Sequence, residues 1–241
     1  EVIVHGREDI PGVIGAKPPH LLKSEEREKA VKIKDLTIDT GMEPEVLKEL
    51  VQIGDPITLA AHPINLKNDK ISSKSIDNRC GLAALIIAMA ELQNLKHEAD
   101  VVFVASTQEE TELTGITTAS YNLEPDTAII LDACHGEISG VSDEDAFPLG
   151  KGPAIGIGPN LHKELTKKLI NKAKEENIPY QIDVEPGDTG TEAWATQVSR
   201  NGIPTVLVSI PIKYMHTPVE VTDMKDVKNA GRLIARFISE I

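Results

Sequence analysis

Three short, almost wholly apolar runs constrain this chain more than any other feature: residues 101–105 (VVFVA), residues 127–133 (TAIILDA) and the PTVLVSIPI stretch from Pro204. Each is flanked by a helical pattern, and each leads to an acid or a histidine: Glu109 and Glu110, Asp132, and His216. A strand apolar on both faces is normally central in a sheet covered by helices. Strands alternating with helices give a layered α/β fold. In open α/β sheets the chemistry sits just past the carboxyl ends of such strands. Two adjacent carboxylates placed there are costly unless something positive holds them.

The elements between these runs complete the pattern. Residues 77–92 (DNRCGLAALIIAMAEL) form an apolar-rich helix whose first turn holds Asp77, Asn78 and Arg79. TELTGITTASYNL reads as a turn plus helix, residues 162–178 as a helix with a Lys-rich face, and PYQIDVEP as a strand. GDTGTEAWATQVSRNG starts as a Gly/Thr turn and becomes a helix. A closing helix follows, capped by Thr222 or Asp223. Residues 1–65 differ: EVIVHG, PGVIGAK, KIKDLTIDTG and DPITLAA are short β runs separated by Pro and Gly turns. Two charged stretches there, SEEREKAVK and EPEVLKELV, have weak helical character. The expected organisation is a small β-rich domain over 1–65 and an α/β domain over 66–241.

Charge and composition exclude several function classes. A net charge of −13 argues against nucleic acid and anionic membranes as partners. No apolar run approaches the ~20 residues of a membrane span, and no signal peptide is visible. Two cysteines, Cys80 and Cys134, make no disulfide framework, so the expected location is cytoplasmic. No G-x-G-x-x-G or Walker A sequence follows a strand, and G-x-S-x-G is absent. The chain opens mid-strand without Met, which suggests a piece of a longer product.

Asp77, Glu109, Glu110, Asp132 and His216 all fall where sheet topology can bring them to one crevice. Oxygen and imidazole donors in that mix suit zinc, cobalt or manganese. Each also has a plain structural reading: Asp77 as a helix N-cap, the glutamate pair and Asp132 as turn residues, His216 as a hydrogen-bonded loop histidine. Cys80 and Cys134 read as small buried hydrophobes rather than thiolate ligands. His5, His20 and His62 read as surface or turn histidines.

The segments SIDNRCG, FVASTQEE, AIILDA, GKGPAI, GDTGTEA and IPIKYMHTPVE, in that order, resemble the tetrahedral (TET) aminopeptidases, di-metal co-catalytic enzymes also labelled glutamyl aminopeptidases or endoglucanases. VIVHGREDIPGVIGAKPPHLL resembles the entry into that family's inserted β domain. The resemblance implies an α/β fold: a layered mixed sheet flanked by helices, like the co-catalytic zinc peptidases, carrying a small β-rich insertion. It implies two divalent ions per subunit, zinc or cobalt, and peptide substrates. It also implies self-association into a large homo-oligomer, a dodecamer, with the β domain at its contacts. By the same resemblance Asp77 bridges the two metals, Glu110 and His216 bind one, and Asp132 binds the other. Glu109 is then the general base acting on a metal-bridged water, and Gly190 and Thr191 lie close to substrate.

One departure stands out. The family's further histidine, in an H-x-D sequence, lies upstream of its β insertion, and none of the seven histidines here sits in such a motif. Two other readings follow from the sequence: a catalytically impaired paralogue or assembly subunit, and an endoglucanase-type glycosidase. Few stacking aromatics oppose the latter, with one Trp and three Tyr in the chain.

Overall fold

The computed structural model describes residues 1–24, 29–142 and 146–241. These divide into two compact units, Glu1–His62 and Pro63–Ile241.

The first unit is built on a four-stranded antiparallel sheet. Its strands are β1 (Val2–His5), β2 (Asp9–Gly15), β3 (Thr37–Asp39) and β4 (Ile57–Leu59), in the order β3-β2-β1-β4. Alternation is visible in β1 and β2: Val2, Val4 and Ile10 are buried between more exposed neighbours. EPEVLKELV supplies a short helix, α1 (Pro44–Leu50), with proline in its first turn. In SEEREKAVK, residues 25–28 lie outside the described residues. His5 is the last residue of β1 rather than a turn residue, and its ring bonds to Asp9 (2.7 Å) and Thr58 (2.9 Å).

The second unit holds a seven-stranded mixed sheet. Its strands are β5 (Ile64–Asn65), β6 (Lys70–Ser73), β7 (Ala128–His135), β8 (Ala154–Ile157), β9 (Gln181–Val184), β10 (Thr205–Lys213) and β11 (Glu220–Asp223). The order is β5-β6-β11-β10-β8-β9, with β7 parallel to β10. β10 is the centre: its residues from Thr205 to Ile212 are all buried, as expected of a strand covered on both faces.

One face of the sheet is packed by α2 (Ile76–Leu92), α5 (Lys163–Glu175) and α7 (Met224–Ile238). Val206, Val208, Ile210 and Ile212 meet Ala84, Ala88, Leu169, Leu233 and Phe237 there. Gly231 lets α7 come close to α2: a Cβ at that position would lie 2.5 Å from the Ala84 carbonyl oxygen. The opposite face carries α6 (Glu192–Thr196), whose Ala193 packs with Leu207, Ile130 and Leu161. Asp223 caps α7, its carboxylate accepting from Lys225 N–H at 2.9 Å. Among the described residues no helix is long and apolar enough to cross a membrane.

The run at residues 101–105 corrects the sequence reading. It forms no β ladder, and β7 pairs only with β10 among the described residues. Val101 and Phe103 pack on the core, but Val102 is 63% exposed. Apolar composition marked the segment as strand-like. A strand is completed by a hydrogen-bonded neighbour, and that is a property of the fold rather than of the run.

Candidate metal centre

The site residues come from four separate places in the second unit. Asp77 lies in the entry to α2, where Asp77 (φ −73°, ψ 112°) and Asn78 (φ −113°, ψ 40°) depart from helical geometry. Asn78, not Asp77, supplies the side-chain cap of the helix that follows, its Oδ1 accepting from Gly81 N–H at 3.1 Å. Glu109 and Glu110 open a single helical turn, α3 (Glu109–Glu112), followed by α4 (Thr114–Leu123). Asp132 sits within β7, and His216 in the turn joining β10 to β11.

The fold brings three of these together. One ligand atom each from Asp77, Glu110 and His216 lies within 4.8 Å of the others. His216 Nε2 is 3.2 Å from Asp77 Oδ2 and 3.4 Å from Glu110 Oε2. Asp132 lies outside that group of three but borders it electrostatically, feeling the charges of Glu109 and Asp77. Its Oδ1 accepts from Asn78 Nδ2 at 3.2 Å.

The electrostatics describe acids crowded together. Burial, then the charge of Glu110, pushes the Asp77 carboxyl above the usual carboxylate range, and His216 pulls it back. Asp132 is pushed up to about 8, chiefly by burial; the Ala133 N–H opposes this, while Glu109, Asp77 and Glu192 add to it. Glu109 is raised by burial, then by Glu110, Asp77 and Glu192, again against His216. Glu192 is raised by burial and steadied by the Ser106 hydroxyl, which donates to it. A divalent cation would relieve this repulsion. Two carboxylates and an imidazole at such spacing are a donor set suited to zinc and similar ions, so the residues present fit a metal.

The predicted substrate turn is ordered by its own bonds. The Gly190 N–H donates to Asp188 Oδ1 at 2.9 Å, with φ at 60°, a conformation glycine adopts at no steric cost. The buried Thr191 hydroxyl accepts from Ala193 N–H at 3.2 Å and so caps α6. The cysteines are buried thiols: burial raises both Cys80 and Cys134 above the ordinary thiol range.

Four residues that shape the site were not singled out from the sequence: Asn78, Ser106, Glu192 and Glu220. Asn78, Glu192 and Glu220 stand in the same short segments as predicted site residues, SIDNRCG, GDTGTEA and IPIKYMHTPVE, and Ser106 stands in FVASTQEE. Proximity in sequence was the available signal. Their roles depend on partners that only the fold brings near: main-chain groups for Glu220 and Asn78, and each other's side chains for Ser106 and Glu192.

The family profile for M42 glutamyl aminopeptidase matches residues 1–233. The lysyl aminopeptidase of Pyrococcus furiosus is 34% identical over 95% of this chain and 67% of its own length. The aminopeptidase of the archaeon Desulfurococcus kamchatkensis superposes with a TM-score of 0.87 at 34% identity, over 100% of this chain and 68% of that one. The Pyrococcus horikoshii TET peptidase, which can assemble into a tetrahedron or a large octahedral shell, superposes with a TM-score of 0.82 at 33% identity, over 100% of this chain and 71% of that one. The chain thus spans about two thirds of the length of these relatives.

Proposed function

Because the chain belongs to the M42 glutamyl aminopeptidase family and is therefore an aminopeptidase, we propose that it removes N-terminal residues from peptides with two divalent ions, zinc or cobalt, held by Asp77, Glu110, Asp132 and His216. The observation that carries this reading is the convergence of Asp77, Glu110 and His216 on one point from three separate turns. When bound, such ions polarise a peptide carbonyl and make water a better nucleophile at neutral pH.

The chain's own residues supply the rest. Glu109 stands beside Glu110 but outside the group of three, so its carboxylate is free to move protons. Its raised pKa brings it nearer the range a general base needs. In this reading Glu109 takes the proton of the attacking water and passes it to the departing amine. The neighbouring acids, Glu192 among them, favour a substrate with a cationic α-amine, which restricts cleavage to the chain end. The turn at Gly190 and Thr191 borders that end of the substrate, with α6 behind it holding Glu192 toward Ser106.

The family match and the imidazole among the clustered acids favour this over a glycosidase or a catalytically impaired assembly subunit. The test is hydrolysis of aminoacyl-anilides with a free or an acetylated amine, with and without chelator. Free-amine substrates are expected to be cut, activity to vanish on chelation, and zinc or cobalt to restore it. Chelator-insensitive cleavage, or equal cleavage of acetylated substrates, would overturn the proposal.

Self-association into a large homo-oligomer through residues 1–62 is part of the same reading. It is supported by the likeness to the Pyrococcus horikoshii peptidase and by apolar side chains left exposed in that unit, among them Ile33 and Ile53. Light scattering decides it: a monomeric mass would refute this part.

A further inference from the structure

Glu220, the first residue of β11, is only 2% exposed. Its position follows from register: β11 pairs antiparallel with β6, placing Glu220 opposite Ser73, just before the chain turns into α2. Burying a carboxylate is costly unless its oxygens are well bonded. Here they are bonded by main chain. Oε2 accepts from the N–H of Ile76 at 2.5 Å and of Asp77 at 3.1 Å, and Oε1 accepts from the N–H of His216 at 2.8 Å.

Two of those three N–H groups belong to residues whose side chains meet in the metal centre. Both turns also depend on support. Ser75 (φ 53°) and His216 (φ 62°) are left-handed without being glycine, a conformation that is sterically unfavourable for L-residues. One buried side chain therefore holds the two turns at a fixed separation.

We propose that Glu220 is a positioning residue that sets the spacing of Asp77 and His216 and thereby the metal affinity of the Asp77, Glu110 and His216 group. This rests on the reading of those three residues as metal ligands. The chemistry requires a carboxylate. Both oxygens must accept, whereas a glutamine offers one acceptor oxygen and an NH₂ that would face an N–H. Glu220→Gln is thus expected to keep one turn pinned and release the other.

The experiment is a Co²⁺ titration of the whole chain, followed by the visible absorption of the bound ion, with folding checked by circular dichroism. Asp226 is the control. It is also fully buried and also accepts two main-chain N–H bonds, from Gly150 at 2.6 Å and Gly152 at 2.7 Å, away from the centre. Glu220→Gln is expected to weaken Co²⁺ binding about 10–100-fold, as loss of a group that orients a metal ligand does, and to shift the spectrum. Asp226→Asn is expected to lower stability while leaving Co²⁺ affinity and spectrum intact. If Glu220→Gln does not fold, Glu220→Asp, which keeps both acceptors on a shorter stem, replaces it with the same expected direction. A folded Glu220 variant with wild-type affinity and spectrum overturns the proposal. His216→Ala separates the two claims: if it too binds Co²⁺ like the wild type, the metal-centre reading fails and this inference with it. If only His216→Ala weakens binding, the role of Glu220 alone is refuted.

Discussion

Asn78 ties the entry of α2 to Asp132 in β7: its Nδ2 donates to Asp132 Oδ1 at 3.2 Å and to the Leu131 carbonyl at 2.8 Å. The same side chain accepts from Gly81 N–H at 3.1 Å, so one amide uses donor and acceptor together. Asn78→Ala leaves partly buried partners without this bond, and a lost partner of that kind costs about 1–3 kcal/mol. Denaturant unfolding is expected to show a loss in that range. An unchanged midpoint would mean that the amide contributes nothing to the junction.

Under the proposed function the two glutamates have different roles. Glu110 joins the group of three, and Glu109 stands beside it. Glu109→Gln keeps the shape and removes the proton acceptor. The variant is expected to retain its metal content by elemental analysis while hydrolysis falls ~10²–10⁴-fold. Hydrolysis at the wild-type rate would remove Glu109 from the mechanism.

How much of this was readable beforehand follows from which contacts are local. The all-buried β10 was legible because its residues are almost wholly apolar, with Ser209 the one polar residue between Val206 and Ile212, and the closing helix because Asp223 stands before a periodic pattern. The convergence of Asp77, Glu110 and His216 was legible as residue types at the ends of elements. The run at residues 101–105 misled because a strand needs a partner, and composition says nothing of whether one is present. Glu220 and Asn78 were silent for a related reason. Their function lies in bonds to the main chain of distant residues, and a backbone N–H or carbonyl has no signature in the sequence.

His216 and Cys80 give a contrast between a proposed ligand and a buried thiol. His216 is exposed and its Nε2 faces both Asp77 and Glu110, whereas Cys80 is a buried thiol whose ionisation is opposed by burial and by Asp77. Only a thiolate binds metal well. His216→Ala is expected to reduce bound metal, measured by elemental analysis after desalting, while Cys80→Ala keeps it. Metal lost from Cys80→Ala and retained by His216→Ala would reverse the assignment.

Away from the centre, Asp183 in β9 and Glu185 just beyond it are neighbouring, partly buried carboxyls, and burial and their mutual interaction set a pH dependence. Burial, then the interaction with Asp183, raises Glu185 from 4.5 to about 7. The same interaction lowers Asp183 against the rise that burial imposes, with His135 helping. Glu185, raised to about 7, thus holds a proton in the folded protein at pH values where an exposed glutamate has lost it. A carboxyl whose folded pKa lies above its unfolded value binds more protons folded than unfolded, so its stabilising contribution is complete at low pH and fades as pH rises between those values. The melting temperature is therefore expected to fall between about pH 4.5 and 7 through this pair. Glu185→Gln, which cannot ionise, is expected to flatten that slope and to leave the melting temperature at pH 5 nearly unchanged. Melting curves of both proteins across the window test it, and parallel slopes would show that the pair does not carry the dependence.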